Sequence, residues 1–112
     1  MTCDPFDVVV VPFPFVDSDL TKRRPALVLS IRDFNKQGQS ILAMITSAEH
    51  TRWPTDVTID WKQAGLPRPS IVRMRLFTLD NRLIERRAGR LNTADRRSAA
   101  AQFHRVIVPR PE

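Results

Sequence analysis

Apolar residues fall in short runs rather than long helical stripes, and most of these runs have the character of strands. Asp7 to Phe15 reads Asp-Val-Val-Val-Val-Pro-Phe-Pro-Phe, a β-branched run closed by prolines, as expected of a buried strand leaving its sheet at an edge. Asp17 to Arg24 is polar, lacks apolar periodicity and runs into Pro25, whose ring forces the preceding residue toward extended geometry. It predicts a loop that delivers Arg24 to a strand edge. Pro25 to Ile31 and Ser40 to Thr46 are apolar runs separated by Asn35-Lys36-Gln37-Gly38, a turn-forming composition, and they predict a pair of neighbouring strands. Thr55 to Asp60 alternates polar residues with Val57 and Ile59. Asp60 can then cap a single helical turn closed by Gly65, and Pro67 and Pro69 stop anything longer.

Ser70 to Leu79 and the arginine-rich Leu83 to Leu91 predict two further short strands. Only the last segment has helical spacing. Asn92 can cap it with Asp95 three residues on, and Ala99, Ala100, Phe103, Val106 and Ile107 recur along one face, which predicts a helix packed on the sheet. Many short strands and one late helix point to a mainly β (α+β) fold, a small curled sheet or barrel with a C-terminal helix. One domain over residues 1–112 is expected, with no internal repeat or linker.

Composition narrows the class. At 42% hydrophobic and 27% charged residues, the chain can bury a core and lies outside the range of disordered segments. Its one cysteine, Cys3, can neither close a disulfide nor build a zinc site, which suits a reducing, cytoplasmic setting and no metal. The longest apolar stretch, Val8 to Val16, is broken by Pro12 and Pro14, so no membrane span is expected. The formal charge is +6, and only Lys22, Lys36 and Lys62 among the 18 basic residues are lysines. Arginine's planar fork binds phosphate in a bidentate way and stacks on bases, so the excess suits nucleic acid or an acidic protein partner. A GC-rich genome would enrich arginine as well.

Single residues leave the chemistry open. By charge alone, Arg24 reads as a surface arginine in a basic loop, and Thr46 as an ordinary strand residue. His50 falls in a surface loop from Ser47 to Trp53, and His104 lies beside the apolar face of the last helix, where it reads as structural. Trp53 can stack on a splayed base or pack on the core. Arg86, Arg87, Arg90, Arg96 and Arg97 form a charge-dense stretch of the kind that usually faces solvent.

Taken together, Val8 to Phe15, Lys22-Arg23-Arg24-Pro25-Ala26-Leu27-Val28-Leu29-Ser30 and Ile41-Leu42-Ala43-Met44-Ile45-Thr46-Ser47 resemble the MazF/PemK family of toxin endoribonucleases. Ala64-Gly65-Leu66, Pro69-Ser70-Ile71-Val72-Arg73, Leu76-Phe77-Thr78-Leu79-Asp80 and Gly89-Arg90-Leu91 continue the resemblance in order over nearly the whole chain. The resemblance implies an SH3-like β-barrel of the MazF/CcdB/PemK type. It further implies a homodimer that cleaves single-stranded RNA without a metal or other cofactor and is neutralised by a cognate antitoxin protein. The family's catalytic arginine falls on Arg24 and its catalytic threonine on Thr46, the latter a neutral hydroxyl donor to a phosphate oxygen. Lys22, Arg23, Arg73, Arg75 and Trp53 are the matching candidates for RNA binding.

The match departs from the pattern in two places. Strand one opens with Phe6-Asp7 instead of Gly-Asp, before a glycine-free loop, and Met74-Arg75 stands where relatives carry an acidic residue after the arginine. The general base is therefore open among Asp17, Asp19, Glu49, His50 and water, with Ser47 as site support. Two other functions remain to be separated from RNA cleavage. One is a gyrase poison on the same barrel, against which stands the absence of aromatic residues in Val108 to Glu112. The other is an inactive module that only binds RNA or antitoxin.

Overall fold

The computed structural model describes residues 1–12 and 22–111. In chain order its elements are β1 (Asp7–Pro12), β2 (Arg23–Val28), a helical turn α1 (Arg32–Asn35), β3 (Gln39–Ser47), β4 (Val57–Thr58), β5 (Ser70–Asp80), β6 (Arg86–Arg90) and α2 (Thr93–Ile107), with a 3₁₀ turn at Asn81–Leu83. The strands form one antiparallel sheet in the order β4-β5-β3-β2-β1-β6. The architecture is thus a mainly β curled sheet with a C-terminal helix, as the pattern of apolar runs predicts. Among the described residues no helix is long and apolar enough to cross a membrane.

Both faces of the central strands are covered, which explains why their sequences read as continuous apolar runs rather than as alternation. Val8, Leu27, Ala43, Ile45, Val72, Met74 and Leu91 belong to one buried cluster, with Ala99 of α2. Val9, Val11, Ala26, Val28, Leu42, Met44 and Phe77 belong to a second, on the opposite face. Each fully buried side chain such as Leu27 or Leu42 stabilises the fold by about 1.5–3 kcal/mol relative to exposure.

The two ends of the sheet are drawn together by backbone contact. After β4, Ala64 N–H donates to Asp60 O and Leu66 N–H to Trp61 O. Gly65 closes this turn with φ +82°, and a Cβ there would lie 2.1 Å from Ala88 O on β6. On β6 itself, a Cβ on Gly89 would lie 2.3 Å from Ala64 O. Two glycines facing each other let the turn at one edge of the sheet touch the strand at the other edge.

Four predicted boundaries change. Strand β2 begins at Arg23, with Val11 paired to Arg24, so Arg24 belongs to the strand rather than to a loop delivering it. The physical reason is local, since the extended geometry that Pro25 imposes is strand geometry. Between β2 and β3 the chain forms α1, whose Asn35 is fully buried: its amide donates to Cys3 O at 2.9 Å, and the Ser30 hydroxyl bonds its Oδ1. Strand β4 shrinks to two residues. Strand β6 starts only at Arg86, because the Asp80 carboxylate caps the 3₁₀ turn through Arg82 N–H at 2.8 Å.

Helix α2 starts as predicted, the Asn92 side chain accepting from Asp95 N–H at 2.7 Å. Its packing is narrower than the expected face. Ala99 is buried and Phe103 partly so, while Ala100, Val106 and Ile107 are exposed. His104, expected to be structural, is exposed as well. The helix meets the sheet chiefly over the short β4 and part of β5, a footprint too small to cover its second half.

Candidate active site

Arg24 and Thr46 come from neighbouring strands. The β2–β3 register runs Val28↔Leu42, Leu27↔Ala43, Ala26↔Met44, and the same register carried two residues further sets Arg24 opposite Thr46. Pairing stops before that point, and a cleft of about 500 Å³ lies there, lined by Arg23, Arg24, Thr46, Ser47, Glu49, His50 and Arg68 among others. Its size is that of an ordinary small-ligand site. Thr46 is 8% exposed and its backbone is paired with Ile71 of β5, which fixes the strand that carries its hydroxyl.

The chain beyond β3 turns sharply. His50 N–H donates to Ser47 O at 3.2 Å, Glu49 N–H donates to the Ser47 hydroxyl at 3.2 Å, and Ala48 N–H donates to Pro69 O at 3.1 Å. The turn returns the His50 ring to the strand, where Nδ1 lies 2.7 Å from Thr46 Oγ1. Ser47 supports this turn through its own hydroxyl. Among the described candidates for a base, His50 is in hydrogen-bond contact with Thr46, and Glu49 is exposed on the same turn. Asp17 and Asp19 lie outside the described residues.

The expected RNA ligands divide. Arg23 lines the cleft and pairs with Glu85 at 2.8 Å. Lys22, Arg73, Arg75 and Trp53 do not line it. Arg73 is 8% exposed, its Nε and Nη2 donate to the Asp56 carboxylate at 3.0 and 2.9 Å, and Nη2 also donates to Thr51 O at 2.6 Å. Its fork is filled by protein acceptors. Burial pushes the Asp56 carboxyl up, but the Arg73 hydrogen bonds, the Trp53 N–H and the charges of Arg73 and Arg52 outweigh it, leaving the group below its ordinary value. The Trp53 ring, 42% exposed, lies over this guanidinium at 4.5 Å, a cation–π contact, instead of on the core.

Two polar lining residues were not foreseen. Arg68 stands between Pro67 and Pro69, and a basic residue in a rigid proline frame ahead of a strand is the signal that marks it. Ser70 begins β5 and donates through its hydroxyl to Arg68 O at 2.9 Å, which no local pattern announces. Met74, standing where the resemblance calls for an acidic residue, is 9% exposed and belongs to the core. The cleft is not missing a carboxylate there.

A curled antiparallel sheet with a terminal helix and an arginine-lined cleft at the split between two strands defines a class of small mainly β protein. Similar solved structures share this fold over nearly the full chain. MazE-MazF from Deinococcus radiodurans is 20% identical with a TM-score of 0.77, over 98% of this chain and 99% of that one. An endoribonuclease in complex with its cognate antitoxin from a mycobacterial species is 16% identical with a TM-score of 0.76, over 97% and 99%. Mycobacterium tuberculosis toxin MazF-mt6 is 20% identical with a TM-score of 0.70, over 88% and 93%. No curated protein matches the chain. The family of PemK-like, MazF-like toxins of type II toxin-antitoxin systems matches residues 4–107, and the chain belongs to that family.

Proposed function

We propose that this toxin is an endoribonuclease that cleaves single-stranded RNA by transesterification at the cleft between β2 and β3. The observation that carries the reading is that Arg24 and Thr46 line one cleft, where the pairing of β2 with β3 ends. The ribose 2′-hydroxyl attacks the adjacent phosphorus, the 5′-oxygen departs, and a cyclic phosphate remains. Negative charge collects on the phosphorane oxygens, where the fixed Arg24 guanidinium meets it; loss of one such donor costs roughly 10² to 10³ in rate. Arginine stays protonated at any working pH and stabilises charge rather than accepting a proton. Thr46 presents its hydroxyl beside the reacting group. Because the nucleophile is the substrate's own 2′-hydroxyl, the reaction spares DNA, and with Arg24 supplying the charge stabilisation it proceeds without a metal.

The similarity to an endoribonuclease solved with its cognate antitoxin supports both the activity and a protein inhibitor. The partner is an antitoxin whose acidic or aromatic segment lies in the cleft and covers Arg24, matching the +6 charge of the toxin. The active species is a cytoplasmic homodimer. Purified protein in excess chelator is expected to cut a single-stranded RNA oligonucleotide, and 2′-deoxyribose at the cut position is expected to block cleavage. Arg24→Ala and Thr46→Ala should each lower the rate at least about 10²-fold while the circular dichroism spectrum stays unchanged. RNA bound but left intact by the unaltered protein refutes the enzyme and leaves a binding module; growth arrest that tracks gyrase, with RNA intact, points to a poison.

A further inference from the structure

We propose that His50 is the terminal proton acceptor of this site, drawing the proton of the ribose 2′-hydroxyl away through Thr46. The inference rests on the RNA-cleavage reading above and adds the base that reading lacks. Its ground is the 2.7 Å contact between Thr46 Oγ1 and His50 Nδ1, inside the range that couples a hydroxyl to an imidazole base. The tight turn at Ser47 fixes this contact, and its backbone is held to Pro69 O ahead of β5. Thr46 is nearly buried while His50 is exposed. A proton delivered to the ring can therefore pass on to water.

Of the other described groups in the cleft, the Glu49 carboxylate is exposed on the same turn and makes no hydrogen bond to Thr46. Arg23, Arg24 and Arg68 are cations, and a threonine hydroxyl alone is too weak a base. In the step proposed, the 2′-oxygen bonds to phosphorus as its proton moves to Thr46 Oγ1 and the proton of Thr46 moves to His50 Nδ1. The bond from phosphorus to the 5′-oxygen breaks, and that oxygen takes a proton from water. The imidazolium then neutralises the hydroxide left behind, so protons balance and the products are a cyclic phosphate and a 5′-hydroxyl. His50 never touches the substrate; it acts through Thr46.

Only the neutral ring can accept, so the rate should climb as rising pH removes the ring's proton and then level. Among the described residues, the charged groups sharing the cleft with the ring are Arg23 and Arg24 from β2, Arg68 from the segment before β5, and Glu49 on its own turn. A limb that comes from an imidazole disappears when that ring is replaced by a side chain that does not titrate. The other histidine, His104, lies on α2 outside the cleft.

The test is the single-turnover cleavage rate of single-stranded RNA against pH at constant ionic strength. It is measured for the unaltered toxin, for His50→Gln, whose amide can still bond Thr46 without titrating, and for His104→Gln. The expected result is an ascending limb in the unaltered toxin and in His104→Gln. In His50→Gln the limb disappears and the plateau falls roughly 10² to 10⁴-fold, the usual yield of a general base. A second readout needs neither cleavage nor a folded variant: the ¹⁵N shifts of the His50 ring in the unaltered toxin should show Nδ1 unprotonated and accepting, with the proton on Nε2. Retention of the limb by His50→Gln, a rate that falls as pH rises, or a protonated Nδ1 at the plateau pH overturns the proposal while leaving the nuclease intact. RNA left uncut by the unaltered toxin overturns both.

Discussion

Asp56 and Arg73 form a buried ion pair in which each supplies the other's main opposite charge. The Asp56 carboxylate has no exposed surface and the Arg73 side chain is 9% exposed. Two parallel hydrogen bonds join them, and Trp53 N–H adds a third to the carboxylate at 2.7 Å. Removing one partner leaves the other buried without compensation, a loss of about 3 kcal/mol or more. Asp56→Asn is expected to lower the urea-unfolding free energy by that amount, and a loss under about 1 kcal/mol would show the pair to be ornamental. The pH dependence has a definite sign. The folded carboxyl titrates below its unfolded value of 3.8, so its contribution is complete above that value and is lost as pH falls through the folded one. The unaltered toxin should therefore lose stability on acidification below about pH 4, and Asp56→Asn should flatten that limb. From sequence, Arg73 reads as a phosphate ligand because its partner lies 17 positions away, on a loop whose path no local pattern fixes. The reverse holds for Arg24 and Thr46, which are legible only through the motif around each of them. Neither residue type is informative alone.

Strands were legible where burial on both faces wrote itself into composition, as in β1, β3 and β5, and less so where an end was set by something distant. Strand β4 is short because the Asp60 turn follows at once. The onset of β6 waits on a 3₁₀ turn that buries Asn81, whose amide donates to Asn35 O at 2.6 Å and whose Oδ1 accepts from the Ser40 hydroxyl at 2.6 Å. Such side-chain hydrogen bonds carry no periodic signature. The sheet's closure is of the same kind. Gly65 and Gly89 are far apart in sequence, and each is required by the backbone of the other's neighbour. Gly89→Ala places a methyl group against Ala64 O, and because the obstructing atom is backbone, the turn itself must move. The expected cost is about 2 kcal/mol or more, read from the midpoint of denaturant unfolding. Amide exchange should rise first in residues 61–66 and 86–90, since these are the two edges that separate. A variant as stable as the parent would show that the edges close by other contacts.

Across the whole molecule the fifteen arginines do not form one uniform basic surface. Asp7, 1% exposed, has Arg87 at 3.7 Å and Arg90 at 4.0 Å, which supply opposite charge to a carboxylate buried under β6. Arg96 Nε donates to Leu91 O at the start of α2. Much of the arginine-dense stretch thus serves the fold, whereas Arg23, Arg24 and Arg68 converge on the cleft. Charge alone, summed along the chain, cannot make that division. RNA binding should reveal it through counterion release, in which each phosphate neutralised on a single strand contributes about −0.7 to the slope of log affinity against log salt. Measured on Thr46→Ala, so that the RNA stays whole, the slope should be about −2 if the three cleft arginines carry the contact. Arg68→Ala should bring it about 0.7 closer to zero, while Arg97→Ala on the outer part of α2 should leave it unchanged. An equal change in both variants would mean that the strand runs out of the cleft and over the helix, and that the split between β2 and β3 is only one station on a longer path.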